Sequence, residues 1–347
     1  MSLAIEERVK YYLGELYDIH KIQIADNRAI SATKLIPENI NSIDDLSSYF
    51  KEYNYNKLYD ITNLYNINYT SSLTIQEIIK KKLIPDMFFK CYFNDYAKPL
   101  RTRLVELNIG EAQFLCDFCD IFYKINRYAF VKNRYSGLEK KTVILRCLNK
   151  KRHWNLYYNR PDDIPFDNKL NSLYWRGTTT GSMRNPANRF HLVKKYYNRN
   201  PNIDIGFSFT CQGNEKYNAY VKGKDDISTF LKHKYILSLE GNDKDSGLNW
   251  KLNSNSLVLM PKPRSSSWLM EDKLMPDVHY VLIKDDFSDI EEKIEWCNQH
   301  QDNCVSIVKN ANRFMEQFKD EHLEEEIEER VIKLYFEKVS FRNNGLK

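Results

Sequence analysis

Between Leu173 and Phe318 short apolar runs alternate with segments of helical periodicity, and this alternation leaves the chain few architectures. Leu173 to Trp175, "IDIGFSF", "KYILSLE", "SLVLM" and "HYVLIK" read as strands. "NRFHLVKKYYN", "LNWKLNS", "SDIEEKIEWCNQH" and "CVSIVKNANRFMEQF" read as helices. In "SDIEEKIEWCNQH" Ser288 and Glu291 stand at capping-box spacing, which predicts a helix start at Ser288. Strands that alternate with helices form a parallel sheet covered on both faces, since a parallel neighbour is reached only through a long crossover. Such sheets bind ligands at the carboxyl ends of their strands.

Two loops lie at such ends. The first follows Trp175 in "LYWRGTTTGSMRN", and the second is "EGNDKDSGLNWK", Glu240 to Lys251. The chain has 11 glycines in 347 residues, so Gly177 and Gly181 in one short loop call for a reason. Glycine admits close approach of backbone N–H groups to a ligand, and a following helix adds unpaired N–H groups and a positive dipole end. Thr178, Thr179, Thr180 and Ser246 add hydroxyls. Arg176, Arg184 and Arg189 offer the forked donors that suit phosphate. Either loop alone reads more readily as a plain turn; two in one α/β region, one of them flanked by arginines, put a phosphate-bearing ligand level with that reading.

The rest of the chain sets limits. No run of about 18 apolar residues predicts a membrane-spanning helix. The first residues, "MSLAIEERVKYYLGELYDIH", mix charges into a helical pattern with Ile5, Val9, Leu13 and Leu16 on one face, unlike a secretory signal. An intracellular chain is expected, in keeping with seven scattered cysteines. Residues up to about 125 read mostly as helices, and "EAQFLCDFCDIFYKI" reads as one that carries Cys116 and Cys119 on one face, as core thiols rather than metal ligands. "RYAFVK" and "TVILRCL" read as short buried strands, and "YNRPDDIPFDNKLNS" as a linker. The net charge of +5 is too small to suggest a nucleic-acid protein. Basic residues nevertheless cluster at Lys80 to Lys82, at Lys140 and Lys141, and in "RCLNKKRHW", against the acidic "DEHLEEEIEER". A basic cluster suits an anionic substrate or leaflet.

The stretch from "KYILSLEGNDKDSGLNWKLNSNSLVLMPKP" through "SWLMEDKLMPDVHYVLIKDDFSDIEEKIEWCNQH" resembles glycosyltransferase family 90. Its bacterial branch, which acts on lipopolysaccharide or capsule, is the closer match. "WRG", "EGND", "SNS", "MPKP", "W-x-M-E", "P-x-x-HY" and "LNKKRHW" carry the resemblance, which covers roughly Arg127 to Phe318. It implies an α/β GT-B fold, two Rossmann-like domains with an interdomain cleft: residues 1–168 on the acceptor side, 169–317 binding the donor, and a C-terminal helix at 318–347 that returns to the first domain.

The resemblance further implies an inverting glycosyltransferase that moves glucose, xylose or galactose from a UDP-sugar to lipopolysaccharide or another surface glycan. The acceptor is expected to be lipid-linked, and the enzyme cytoplasmic with a peripheral contact at the membrane's inner face. No cofactor, no metal and no nucleic acid are expected. Donor-binding candidates are Arg176, Gly177, Thr178, Gly181, Arg184, Arg189, Glu240, Gly241, Asn242, Asp243, Ser246 and Lys251. Catalytic candidates are His153 as base, Asp163 in reserve, and Arg176 on the leaving diphosphate. Asp285 and Asp286 read as helix-entry residues rather than metal ligands. Some positions depart from the family. Gly247 and Asn249 stand where a basic residue is common, with Lys244 or Lys251 as compensation. Ser267 stands where the bacterial branch often has an acid, and Tyr135 where the eukaryotic branch has its aspartate. These departures support an alternative, a glycosyltransferase-like protein that binds glycans or polyanions without catalysis.

Overall fold

The computed structural model describes residues 4–26, 29–31, 96, 98–118, 126–135, 141–145 and 161–342. Its residues divide into two compact units: 161–324 with Tyr135, and 4–134, 141–145 and 325–342.

The first unit is built on a five-stranded parallel sheet. Its elements in chain order are β1 (Leu170–Gly177), α1 (Arg189–Tyr196), β2 (Ile203–Phe207), β3 (His233–Leu237), α2 (Leu248–Leu252), β4 (Leu257–Met260), β5 (Val281–Leu282), α3 (Ile290–Gln299) and α4 (Gln301–Glu316). The strand order is β5-β4-β3-β1-β2. Leu173 pairs with Ile203 on one side and Tyr235 on the other, and Leu259 pairs with Leu237 and Val281. The chain thus builds outward from β1 to β2, then reverses to lay down β3 on the other side. Parallel strands are buried on both faces, which is why these segments are nearly unbroken apolar runs. On one face Leu173, Trp175, Ile205, Tyr235 and Leu259 pack with Phe190 and Val193 of α1, Ile294 of α3 and Ile307 of α4. On the other, Tyr174 and Ile236 pack with Phe230 and Trp250.

The helix ends follow local chemistry. Asn188 caps α1 by accepting the His191 N–H at 2.8 Å. The start expected at Ser288 lies further on. Helix α3 begins at Ile290 with Asp289 as N-cap residue; the Ser288 N–H goes to Asp286 Oδ1 at 3.0 Å and Glu291 Oε1 accepts from Asn200, so the two do not form a capping box.

In the second unit the helix Ile5–Leu13 buries Val9 and Leu13, with Leu16 beyond it, while Ile5 stays 38% exposed. Arg134 donates to the carbonyls of Tyr11, Tyr12 and Thr142. Phe130–Val131 and Val143–Ile144 are strands, as their sequence suggests, and pair in parallel. The helix expected over "EAQFLCDFCDIFYKI" is overturned: Gln113–Phe114 and Cys116–Asp117 are short strands, with Cys116 opposite Phe130. Cys119 lies outside the described residues. Most of the helix Glu321–Lys338 falls in this unit, where Arg103 pairs with Glu329 at 2.8 Å and the Tyr335 ring lies 4.1 Å from Phe130. Among the described residues no helix is long and apolar enough to cross a membrane.

Candidate active site at the sheet's strand reversal

Strand order reverses between β1 and β3, and both glycine-bearing loops emerge there, at the carboxyl ends of these two strands. That crevice is where open α/β sheets take ligands. The loops touch each other. The Gly181 N–H donates to Asn242 Oδ1 at 2.9 Å, and within the second loop the Gly241 N–H donates to the Asp243 carbonyl at 2.9 Å. Gly181 has φ +99°, and a Cβ there would lie 2.8 Å from the Gly241 carbonyl oxygen. A Cβ on Gly241 would lie 2.7 Å from Thr180 Oγ1. These two glycines are required by the contact between the loops themselves.

Arg189, at the start of α1, joins the loops. Its Nε donates to the Glu240 carbonyl at 3.0 Å and Nη2 to the Leu239 carbonyl at 3.0 Å. Nη1 donates to the Thr178 carbonyl at 3.2 Å and to Thr180 Oγ1 at 2.8 Å. The guanidinium expected on a diphosphate therefore binds both loops from within. Thr178 Oγ1 lies 3.2 Å from Thr180 Oγ1, and buried Thr179 ties the first loop to Cys211 after β2.

Arg176 is also engaged. Alternation along β1 turns it to the face of Tyr174, over whose ring it lies at 4.4 Å. Its Nη2 is 3.0 Å from Asp204 Oδ2 and its Nε 3.0 Å from Asp225 Oδ2, with the side chain 8% exposed. A buried cation requires such partners. Arg184 differs: it is exposed, and its guanidinium has no hydrogen-bond or ion-pair partner among the described residues.

The second loop closes on α2. Lys251 Nζ reaches Asp245 Oδ2 at 2.5 Å and the Leu237 carbonyl at 3.1 Å, and Ser238 Oγ donates to the same carboxylate at 2.7 Å. Burial opposes the charge on Asp245, but Lys251 and Ser238 outweigh it and hold its pKa below the usual range. Ser246 is half-buried beside it, and Gly247 is the residue that precedes α2. Buried Asn249 turns its Oδ1 to the Trp250 N–H at 2.6 Å.

A cleft opens beside the loops, lined by Asn185, Ser238, Glu240, Lys244, Lys262, Arg264 and Glu271 among others. Glu240 Oε1 accepts the N–H groups of Arg264 at 2.8 Å and Ser265 at 2.9 Å. Burial pushes the Glu240 pKa up to about 7, against the pull of those two bonds. The Arg264 guanidinium bridges Asn185 of the first loop to Asp285, reached at 2.5 Å. Asp285 thus holds an arginine, and Asp286 caps Ser288. Lys244 Nζ donates to Ser267 Oγ at 2.7 Å and stands 3.9 Å from buried Glu271 Oε1. Glu271 in turn accepts the Ser267 N–H at 2.6 Å and its hydroxyl at 2.7 Å. Ser267 therefore links a lysine and a carboxylate at the position of the family's acid. Among the described residues no group of three or more His, Cys, Asp or Glu is placed to hold a metal ion.

Asp163, the reserve candidate for the base, is engaged away from the loops. Its carboxylate pairs with the Lys169 ammonium and accepts the Asn255 N–H at 2.5 Å, both acidic and basic side chains being almost fully buried. Lys169 also reaches the Leu231 carbonyl. Lys169, Leu231 and Asn255 precede β1, β3 and β4, so the pair sits at the amino ends of the strands, opposite the loops. His153 lies outside the described residues. Sequence reading passed over Arg264, Ser238 and Glu271; the "MPKP" and "W-x-M-E" motifs around two of them were the available signal.

Known proteins share this arrangement of sequence. Residues 152–334, over half of the chain, match the family model described as Glycosyl transferase family 90. O-glucosyltransferase LpsA of Dichelobacter nodosus is 34% identical over 228 residues, which cover 65% of this chain and 67% of that protein. Protein O-glucosyltransferase 2 of Danio rerio is 26% identical over 155 residues, 43% of this chain and 29% of that protein. Uncharacterized protein 179R of Invertebrate iridescent virus 6 is 29% identical over 122 residues, 33% of this chain and 10% of that protein. A family match over more than half the length, on a parallel sheet with two joined loops at its strand reversal, places the chain in glycosyl transferase family 90 as a glycosyltransferase.

Proposed function

We propose that the chain transfers glucose, xylose or galactose from a UDP-sugar, with inversion, to lipopolysaccharide or another surface glycan. The observation that carries this reading is the pair of loops locked together over the β1–β3 reversal, beside a cleft lined with Lys244, Lys262 and Arg264. When a sugar leaves UDP, negative charge grows on the diphosphate. Fixed N–H groups and cations stabilise that charge without reorganising, and here they do so without a metal. Lys262, lining the cleft, and Arg184, beside Asn185, are the cations proposed to meet it. Arg189 acts as a positioning residue that sets the loops, while Arg176 is held by Asp204 and Asp225 beside them.

The GT-B arrangement and an acceptor-side domain formed by the amino-terminal half are part of the same proposal. So is His153 as the base that takes the acceptor hydroxyl's proton, since an imidazole is largely neutral near pH 7. A lipid-linked acceptor at the cytoplasmic face of a membrane belongs to the same proposal, and the basic clusters at Lys140 and Lys141 and in "RCLNKKRHW" support it.

Thermal shift with UDP, ADP and GDP, each with and without EDTA, tests the donor. At a hundred times its Kd, UDP is expected to stabilise the protein by about 2.7 kcal/mol, and more than the purine nucleotides. Arg184→Ala with Lys262→Ala should remove most of that shift. A UDP shift that needs Mn²⁺, or equal shifts from all three nucleotides, would overturn the proposal.

A further inference from the structure

We infer a second binding site, for neutral sugar residues of a glycan, in the groove beside the edge strand β5. The groove measures about 400 Å³, within the roughly 300–1,000 Å³ typical of small-molecule sites. None of its lining residues lines the cleft at the loops, and Asp277 precedes β5, so the groove begins toward the opposite end of that strand.

Its surfaces differ in kind. Val281 of β5 and Ile307 of α4, 1% and 4% exposed, form an apolar floor. Trp296 of α3 stands at the wall, 37% exposed. The His300 ring stacks on it at 4.7 Å and 14°, which holds the indole in place where it lines the groove. A large aromatic left at the surface of a groove, rather than folded into the core, is an amphipathic contact of the sort that binding sites use.

Around it two of the six polar side chains are engaged, Ser306 with the Asp302 carbonyl and Asn310 with Arg313, and four are unspent. Among the described residues the side chains of Asp277, Glu292, Lys293 and Asn303 have no hydrogen-bond or ion-pair partner. Two carboxylates against one ammonium give this groove a net negative charge, so it disfavours phosphates, nucleotides and sulfated chains. Carboxylates accept from hydroxyls, and an amide and an ammonium donate to them. A sugar ring has both requirements: hydroxyls that donate and accept around its rim, and an apolar C–H face that lies on an indole. Neutral hexoses match the groove; anions do not. The site would hold part of a glycan while the donor loops remain free for nucleotide.

The full chain is titrated with maltohexaose, cellohexaose and a β-1,4-galactan hexamer, followed by saturation-transfer NMR and calorimetry, with UDP as a parallel titrant. At least one hexamer is expected to bind in the millimolar range. Trp296→Ala should weaken it about tenfold or more, the effect of truncating an aromatic anchor, with melting and UDP affinity unchanged. Should Trp296→Ala lower the melting temperature, Glu292→Ala with Asn303→Ala, both at exposed positions, is read instead and must give the same loss. Three outcomes would overturn the inference: no hexamer binds, affinity is unchanged in the readable variant, or a heparin hexasaccharide binds more tightly than the neutral chains. Because UDP is titrated separately, failure here leaves the donor reading standing, and the reverse also holds.

Discussion

Replacing Arg189 separates a guanidinium that holds loops from one that holds a ligand. In Arg189→Ala the carbonyls of Thr178, Leu239 and Glu240 and the Thr180 hydroxyl lose a shared charged donor. A hydrogen bond to a charged group contributes about 1.5–3 kcal/mol. The bonds are not additive, and water enters near the surface, so the expected loss is about 3–4 kcal/mol rather than the sum. For a unit of this size each kcal/mol lowers Tm by roughly 2–4 °C, giving about 6–16 °C. Tryptophan fluorescence is the direct assay, since Trp175, Trp250, Trp268 and Trp296 all lie in this unit. UDP affinity should fall with stability, because the loops lose their shape. Arg189→Lys should recover little, as one ammonium cannot span both loops. A variant that melts like the unmodified protein yet binds UDP poorly would refute the reasoning and return Arg189 to the diphosphate.

Two further perturbations address the ends of the sheet. Glu240 has a pKa raised to about 7 against 4.5 for a free carboxyl, so the folded state holds its proton more tightly. The stabilisation of that protonated form is complete below about pH 4.5 and is lost as pH rises to 7, at most about 3 kcal/mol over the window. Urea unfolding from pH 5 to 7.5 should show this slope in the unmodified protein and a flatter one in Glu240→Gln; equal slopes would reject it. At the other end Asp163→Asn leaves the Lys169 ammonium buried with its partner's negative charge gone. It should cost about 3–5 kcal/mol of stability, while turnover per folded molecule, measured by donor consumption, stays unchanged. Turnover abolished in a well-folded Asp163→Asn protein would make the aspartate the base after all.

The parallel sheet was legible because burial on both faces writes each strand as an apolar run, with a helical pattern between runs. The positions of the two loops followed from it. What the glycines there are for did not follow, since Gly181 answers to Gly241, 60 positions away, and a glycine's sequence context looks the same whether a ligand or another loop comes close. The arginines show the same limit. Arg176 advertises charge and five donors, but its partner Asp204 lies 28 positions on, across a strand pairing that local pattern does not specify. Around Cys116 the apolar spacing fits a helix as well as a strand. The choice is made by Phe130, which pairs with Cys116 and is invisible to a local reading.

That the arginines turn inward has a physical reason tied to the chemistry proposed. A crevice at a strand reversal is bounded by two loops that no strand pairing holds together, so each would be free to move. Arg189 fixes them by donating to carbonyls of both, and this turns those carbonyl oxygens toward the guanidinium. The Arg264 side chain and the Glu240 carboxylate do the same for the turn after β4, joining it to the first loop and to the end of β3. Three connections are thus set in place before any ligand arrives. Electrostatic stabilisation of a leaving diphosphate is largest when the groups that provide it need not reorganise. Cations turned inward as staples and cations exposed at the rim are therefore two halves of one proposed arrangement: the first hold the loop backbones in position, and the second, Arg184 and Lys262, are the charges proposed to meet the ligand.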